Sequence, residues 1–128
     1  MFSHIMIGSS DIPRSKKFYD ALLGVTGCAP VEPDDKGRLR YVHDGGVLMI
    51  TPPIDGNPAT GANGGTIGFK MPDPEQVHAW HDVGCANGGT TCEDPPGERN
   101  NNGRRLYLAY MRDPDGNKLC ALHLISAG

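Results

Sequence analysis

The 128-residue sequence has few aromatic residues, no long apolar run and no excess of basic charge. Aromatic residues make up 6% of the chain, and its formal net charge is −3. Without a surplus of Lys and Arg, the sequence lacks the electrostatic character of a nucleic-acid-binding protein. No segment approaches the ~18 consecutive apolar residues that a transmembrane helix requires. We therefore predict neither nucleic acid nor a membrane as a partner.

The sequence also lacks the cysteine spacings of a zinc site and the layout of a signal peptide. Cys28, Cys85, Cys92 and Cys120 include no Cys-x-x-Cys pair, so a four-cysteine zinc site is not expected. The N-terminus does not show a charged segment followed by an apolar one. Reduced thiols and a cytoplasmic location are the resulting predictions.

What the sequence does contain is an internal repeat, with the two copies about 62 residues apart. The strand-like segment His4–Ile7 aligns with Thr66–Phe69, and Asp44–Ile50 later echoes Asp115–Ala121. A copy of this size cannot bury a core well by itself. We expect the two copies to pack together as one domain around a shared cavity, where a ligand would bind.

Periodicity and turn residues predict one strand, one helix and three further strands in each copy. In module 1, about residues 1–53, we expect a strand at Phe2–Gly8, a helix at Ile12–Leu23 and strands at Thr26–Val31, Leu39–His43 and Val47–Thr51. After a linker of about residues 54–64, module 2 (about 65–128) should have a strand at Gly65–Met71, a helix at Pro74–Cys85 and strands at Thr90–Glu93, Leu106–Met111 and Asn117–Leu124. The Pro-, Gly- and Asn-rich Asp94–Arg105 is expected to be a long exposed loop. The order predicts an α+β fold.

The paired modules, with Arg-Asp-Pro-Asp-Gly-Asn-Lys at Arg112–Lys118 before the last strand, resemble the vicinal-oxygen-chelate superfamily. This superfamily includes glyoxalase I, bleomycin-resistance proteins and extradiol dioxygenases, and the resemblance covers essentially the whole chain. It implies two tandem βαβββ modules that form a cupped mixed sheet, with the helices outside. It also implies a small-molecule ligand and a homodimer, since many members are dimers.

The resemblance further implies positions for a metal site. Metal-dependent members hold a divalent cation with a His, Glu or Gln from the first and last strand of each module, and the matching positions are His4, Met49, Thr66 and Cys120. Only His4 fits that pattern, and zinc, iron, nickel or manganese is the cofactor implied. His4 and Cys120 are the candidate metal ligands and catalytic residues, with Met49 and Thr66 as substrate contacts. Two protein ligands fall short of the three usual at catalytic zinc, which leaves metal binding open.

Four further strand residues are candidates for substrate binding: Arg40, Tyr41, Tyr107 and Tyr110. Side chains alternate along a strand, so about half of these should point into the cavity. An inward tyrosine would supply both apolar surface and a hydroxyl group. The four residues therefore favour an amphipathic ligand.

Two functions are favoured at this point, ahead of a third possibility that the two copies form only an interaction module. The first is a glyoxalase-like lyase or isomerase, similar to lactoylglutathione lyase, acting on a small oxygen-rich substrate with His4 and Cys120 at its centre. The second is a metal-free protein that binds and sequesters a drug or metabolite, as bleomycin-resistance members do. The family-like His4 favours the first function, whereas the three altered ligand positions favour the second.

Overall fold

The computed structural model describes residues 1–127, which form two helices and eight strands. Module 1 contains β1 (Ile5–Gly8), α1 (Ile12–Gly24), β2 (Leu39–His43) and β3 (Gly46–Thr51). Module 2 contains β4 (Ile67–Lys70), α2 (Pro74–Ala86), β5 (Thr90–Thr91), β6 (Gly97–Asn101), β7 (Arg104–Arg112) and β8 (Lys118–Ser126). The predicted α+β class is confirmed. Within residues 1–127, neither helix is long and apolar enough to cross a membrane.

Each module contributes one mixed sheet, and the two sheets have equivalent topology. The three-stranded sheet of module 1 has the order β1-β3-β2, with β1 parallel to β3. The five-stranded sheet of module 2 has the order β4-β8-β7, with β4 parallel to β8 and with both β5 and β6 paired to β7. In both modules the first strand thus pairs in parallel with the last, as two copies of one unit should.

Both helices begin where the sequence predicts, each after an aspartate cap and with a proline at the first or second helical position. The Asp11 carboxylate accepts a hydrogen bond from the Arg14 backbone N–H at 3.0 Å. The Asp73 carboxylate accepts one from the Gln76 N–H at 2.8 Å. These side chains satisfy N–H groups that have no partner within the first helical turn, and the proline has no N–H to satisfy.

The predicted strand at Thr26–Val31 is wrong, because the chain closes the end of α1 there. The backbone N–H groups of Thr26 and Cys28 both donate to the Leu23 carbonyl, at 3.2 and 3.1 Å. Gly27 between them has a φ of +92°, a conformation that glycine adopts without strain. The backbone groups that a strand would need are therefore already used in capping the helix.

The predicted loop at Asp94–Arg105 is also wrong, because it contains β6. Asn102 and Gly103 have φ values of 53° and 80°, which form a tight two-residue turn. This turn places β6 antiparallel to β7. Asn-Gly is a strong signal for such a hairpin, because both residues tolerate positive φ.

One hydrophobic core lies on the helix side of both sheets and joins the modules. Phe18 and Leu22 of α1, Trp80 of α2 and Met111 of β7 belong to it, and each is 0% exposed. Because α1 packs against α2 as well as against its own sheet, neither module has a separate core.

The turn between β7 and β8 fastens module 2 to module 1. Asp113 is 4% exposed and accepts hydrogen bonds from the Tyr19 hydroxyl at 2.5 Å, from the Asn117 amide at 2.9 Å and from the backbone N–H groups of Asp115 and Asn117. The Asp115 carboxylate pairs with Arg14 at 2.8 Å. The Asp-Pro-Asp-Gly-Asn segment therefore stabilises the contact between the modules.

Candidate functional site

Each sheet has one face covered by the helices and one face turned away from them, which we call the helix-free face. In β8, Leu119 and Ala121 join the core under the helices, whereas Cys120 and Leu122 belong to a second apolar cluster. Because neighbouring residues of a strand point to opposite faces, this second cluster lies on the helix-free face.

The four candidate substrate-binding residues divide equally between the two faces. Tyr41 belongs to the core and donates to the Asp20 carboxylate at 2.8 Å, and burial raises the pKa of its hydroxyl. Tyr107 packs against the same core, and its hydroxyl lies 2.7 Å from the His78 ring. Arg40 pairs with Met49 on the other face of module 1, and Tyr110 pairs with Cys120 on the helix-free face of module 2. The hydroxyl groups of Tyr41 and Tyr107 thus form hydrogen bonds within the protein, to Asp20 and His78.

A row of paired residues crosses the helix-free face of module 2. Tyr110 of β7 pairs with Cys120 of β8, which pairs with Gly68 of β4. On the other side of Tyr110, the Cys92 N–H donates to the Tyr110 carbonyl at 3.4 Å. A Cβ added at Gly68 would meet no atom within 4 Å, so there is open space beside Cys120.

Charged side chains surround this row. The Lys118 ammonium lies 5.0 Å from the centre of the Tyr110 ring and forms an ion pair with Glu93. A cation over the face of an aromatic ring is attracted by the ring's electrons. Arg99 also acts electrostatically on Tyr110 and Cys120. Lys118 and Cys120 are two positions apart on one strand and so share a face, whereas only the fold brings Glu93 and Arg99 there.

Both titratable groups of the row stay protonated at neutral pH. Burial raises the pKa of the Cys120 thiol, and the Tyr110 hydroxyl bonded to it lowers that pKa by a smaller amount. Burial likewise raises the pKa of the Tyr110 hydroxyl. Because the thiolate is the nucleophilic form of cysteine, these shifts favour Cys120 as a hydrogen-bond donor over Cys120 as a nucleophile.

His4 and Cys120 have different surroundings in the structure, and a site built on that pair stays a prediction. His4 is exposed, and its Nδ1 lies 2.8 Å from the Ser3 hydroxyl. No hydrogen bond links it to Cys120 in the described part of the chain, where the groups acting on the thiol come from module 2. His4 lines a separate cleft between the modules.

The donor set does not fit the metal that the resemblance implies. Residues 1–127 contain no group of three or more His, Cys, Asp or Glu side chains that could hold a metal ion. Of the four family positions, Met49 offers a thioether and the exposed Thr66 a hydroxyl, and neither suits a hard or borderline divalent cation. No chemical step is therefore assigned to a metal here.

The neighbouring side chains on the helix-free face of module 2 are apolar. Leu106, Leu108 and Cys120 are each less than 7% exposed, and Tyr110 and Leu122 pack against them. Apolar surface with a few polar groups at one end is typical of small-molecule sites. Tyr110 and Cys120 of the row, together with the neighbouring Lys118, supply those polar groups.

Comparison with known proteins agrees with this architecture. The family model of the glyoxalase/bleomycin resistance protein/dioxygenase superfamily matches residues 1–121. The crystal structure of a glyoxalase/bleomycin resistance protein from Albidiferax ferrireducens is 56% identical, covers 96% of this chain and 98% of that chain, and has a TM-score of 0.88. A search of curated proteins found no match.

More distant solved structures share the fold. A glyoxalase-related enzyme from Fulvimarina pelagi is 19% identical over 96% of this chain and 88% of that chain, with a TM-score of 0.71. A putative glyoxalase from Bacillus halodurans is also 19% identical, over 96% of this chain and 95% of that chain, with a TM-score of 0.75.

Proposed function

We propose that this chain, which belongs to the glyoxalase/bleomycin resistance protein/dioxygenase superfamily, binds a small oxygen-rich molecule without a metal held by the protein. The site would be the helix-free face of module 2. The observation that carries the proposal is the grouping of the Tyr110 hydroxyl, the Cys120 thiol and the Lys118 ammonium there.

These three groups suit an anionic ligand oxygen. Tyr110 and Cys120 both keep their protons at neutral pH, because burial raises their pKa values. The Cys120 thiol donates to the Ala121 carbonyl at 3.5 Å, so it would exchange that contact for one with the ligand oxygen, as the Tyr110 hydroxyl would exchange its contact with Cys120. Lys118 adds a positive charge, and hydrogen bonds between charged partners are the stronger ones. A ligand carboxylate would compete with Glu93 for Lys118. The carbon skeleton of the ligand would lie over Leu108 and its neighbours.

A lyase or isomerase activity is the second candidate, and the backbone at Glu93 favours it. Glu93 has a φ of 58°, which residues with long side chains rarely adopt. Such strain is often found at functional sites. Here it accompanies a carboxylate that acts electrostatically on the protonated Tyr110 hydroxyl. A carboxylate base and a hydroxyl acid on one face would support proton transfer next to a carbonyl group.

Calorimetric titration with phenylpyruvate, which combines oxygens with an apolar ring, tests the proposal. We expect binding that EDTA does not change and that Tyr110→Phe weakens about tenfold, because a hydrogen bond to a charged group contributes about 1.5 kcal/mol or more. Tyr107→Phe is the matched control on the same strand. Its affinity for phenylpyruvate should be within about twofold of that of the natural protein, a smaller change than the loss of one hydrogen bond would cause.

The affinity should be constant between pH 6 and 8, since the raised pKa values keep both donors protonated across that range. Phenylpyruvate recovered unchanged supports the binding function, and conversion to another compound supports the lyase or isomerase. Absence of binding at millimolar concentrations, or equal loss in both tyrosine variants, would contradict the site.

A further inference from the structure

A cleft of about 710 Å³ is lined by residues of both modules, including residues of β1 and β4, each of which is the edge strand of its sheet. We call it the intermodule cleft. Its walls come from the end of α1, from β1 and β4, and from the first turns of α2, and they include Leu22, Leu23, Phe69, Gln76 and Trp80. This volume lies within the range of about 300–1,000 Å³ that is usual for small-molecule sites.

The intermodule cleft is distinct from the helix-free face of module 2. Gly68, at one end of the Cys120 row, also lines the cleft, whereas Tyr110, Cys120 and Lys118 do not. Its inner walls are core residues of both modules, which lie on the helix side of the sheets. A molecule in this cleft would therefore contact both modules at once and would leave Tyr110, Cys120 and Lys118 free.

Two polar atoms in the wall of the intermodule cleft are buried without a hydrogen-bond partner. They are the indole N–H of Trp80 and the side-chain carbonyl oxygen of Gln76. In native proteins most buried polar atoms are paired, so each exception needs an explanation. Trp80 is 0% exposed and belongs both to the core and to the lining of the cleft, so a ligand reaches its N–H group only when the side chains that cover it move aside.

The two unpaired atoms form a complementary set. Gln76 and Trp80 are four residues apart on α2, which places them on the same face of the helix, one turn apart. Trp80 offers a donor, and the Gln76 oxygen offers an acceptor. The neighbouring walls, Leu22, Leu23 and Phe69, are apolar and carry no charge. The charged residues of the cleft lining, Asp44 and Lys70, are both exposed, whereas a charged group against the apolar wall would lose its hydration.

From this arrangement we propose that the intermodule cleft is a second ligand site, for an uncharged molecule that has an apolar body and a carboxamide or lactam group. The carbonyl of that group accepts from the Trp80 N–H, and its N–H donates to the Gln76 oxygen. The apolar body fills the space between Leu22, Leu23 and Phe69. Lys70 and His4 also line the cleft and would contact a polar substituent near its mouth.

Trp80 makes the test direct, because it is the one tryptophan of the chain. Its indole N–H gives a single signal in a ¹H–¹⁵N spectrum of the labelled full-length protein. The probes are adamantane-1-carboxamide, which has both a donor and an acceptor, and 1-adamantyl methyl ketone, which has only the acceptor. We expect both probes to move the Trp80 signal, and the amide to bind about tenfold more tightly.

Variants of α2 separate the two hydrogen bonds. Gln76→Met keeps the side-chain length but removes the acceptor, so the amide should lose its advantage and bind within about twofold of the ketone. Glu75→Met changes an exposed neighbour that does not line the cleft and should keep the tenfold preference. Because neither substitution alters Trp80, the same signal reports binding in every variant.

Three results would overturn the proposal. The first is an unmoved Trp80 signal with both probes. The second is equal affinity for amide and ketone in the natural protein. The third is an intermodule cleft that a second copy of the chain covers. Sedimentation would then show a dimer, and the Trp80 signal would move only when dilution gives the monomer. Phenylpyruvate binding at the Cys120 row is measured in a separate titration. A negative result at one site therefore does not change the conclusion about the other.

Discussion

At the scale of single residues, the most consequential side chains are those that satisfy Asp113. This carboxylate is buried, and a buried charge or polar group without partners is costly. Tyr19 of α1 and Asn117 of the β7–β8 turn both donate to it. The family-like Asp-Pro-Asp-Gly-Asn segment thus has a structural role here, whereas the proposed ligand contacts lie on the strands.

Replacing Tyr19 by phenylalanine should lower the free energy of unfolding by about 1.5–3 kcal/mol, because it removes one donor to a buried carboxylate and leaves its other donors in place. Urea denaturation followed by circular dichroism measures the change. Tyr107→Phe is the control, since its hydroxyl bonds to the exposed His78, and it should cost less than about 0.5 kcal/mol. Equal losses of stability in the two variants would show that the Tyr19–Asp113 hydrogen bond stabilises the protein no more than an exposed one.

At the scale of elements, tight turns decide which segments become strands. Asp44-Gly45 has φ values of 48° and 80°, and Asn102-Gly103 has φ values of 53° and 80°. These are two-residue turns of the same kind, and each joins two antiparallel strands. The strands around the first turn, Leu39–His43 and Val47–Thr51, are predicted from the sequence because both contain apolar residues. The second was missed because β6 is polar and exposed, with the sequence Gly-Glu-Arg-Asn-Asn.

Alanine substitutions at two exposed glycines should have opposite effects. Gly103→Ala should lower the free energy of unfolding by about 1 kcal/mol or more, because alanine is strained at a φ of 80°. Gly24→Ala, in the last turn of α1, meets no atom within 4 Å and needs no positive φ, so it should raise that free energy by about 0.5 kcal/mol. Urea denaturation checks both, and a stable Gly103→Ala protein would argue against the β6–β7 hairpin.

At the scale of the whole molecule, the modules are held together by a shared core, by the Asp113 contacts and by the linker. The linker touches the β7–β8 turn closely at Gly61, where an added Cβ would lie 2.3 Å from the Gly116 carbonyl oxygen. No side chain fits in that space. The linker therefore positions module 2 as well as joining it to module 1.

Gly61→Ala should lower the free energy of unfolding by about 1–3 kcal/mol, because the linker and the turn must move apart to accommodate the methyl group. The transition should remain single, since one hydrophobic core spans both modules. Thr60→Ala, at the adjacent exposed position, is the control and should change stability by less than about 0.5 kcal/mol. A second transition in either variant would contradict the shared core.

The sequence alone determined the repeat, both helices and the family, because these depend on local signals. Asp11 and Asp73 cap their helices by hydrogen bonds to residues three positions later in the chain. Strand alternation alone puts Cys120 on the sheet face opposite to that of Leu119 and Ala121. Tertiary structure decided the rest. It brings Glu93 and Arg99 to Cys120, leaves His4 in the intermodule cleft and leaves the Trp80 N–H without a partner. Those relations depend on how distant strands and helices pack, and no local pattern of residues encodes that packing.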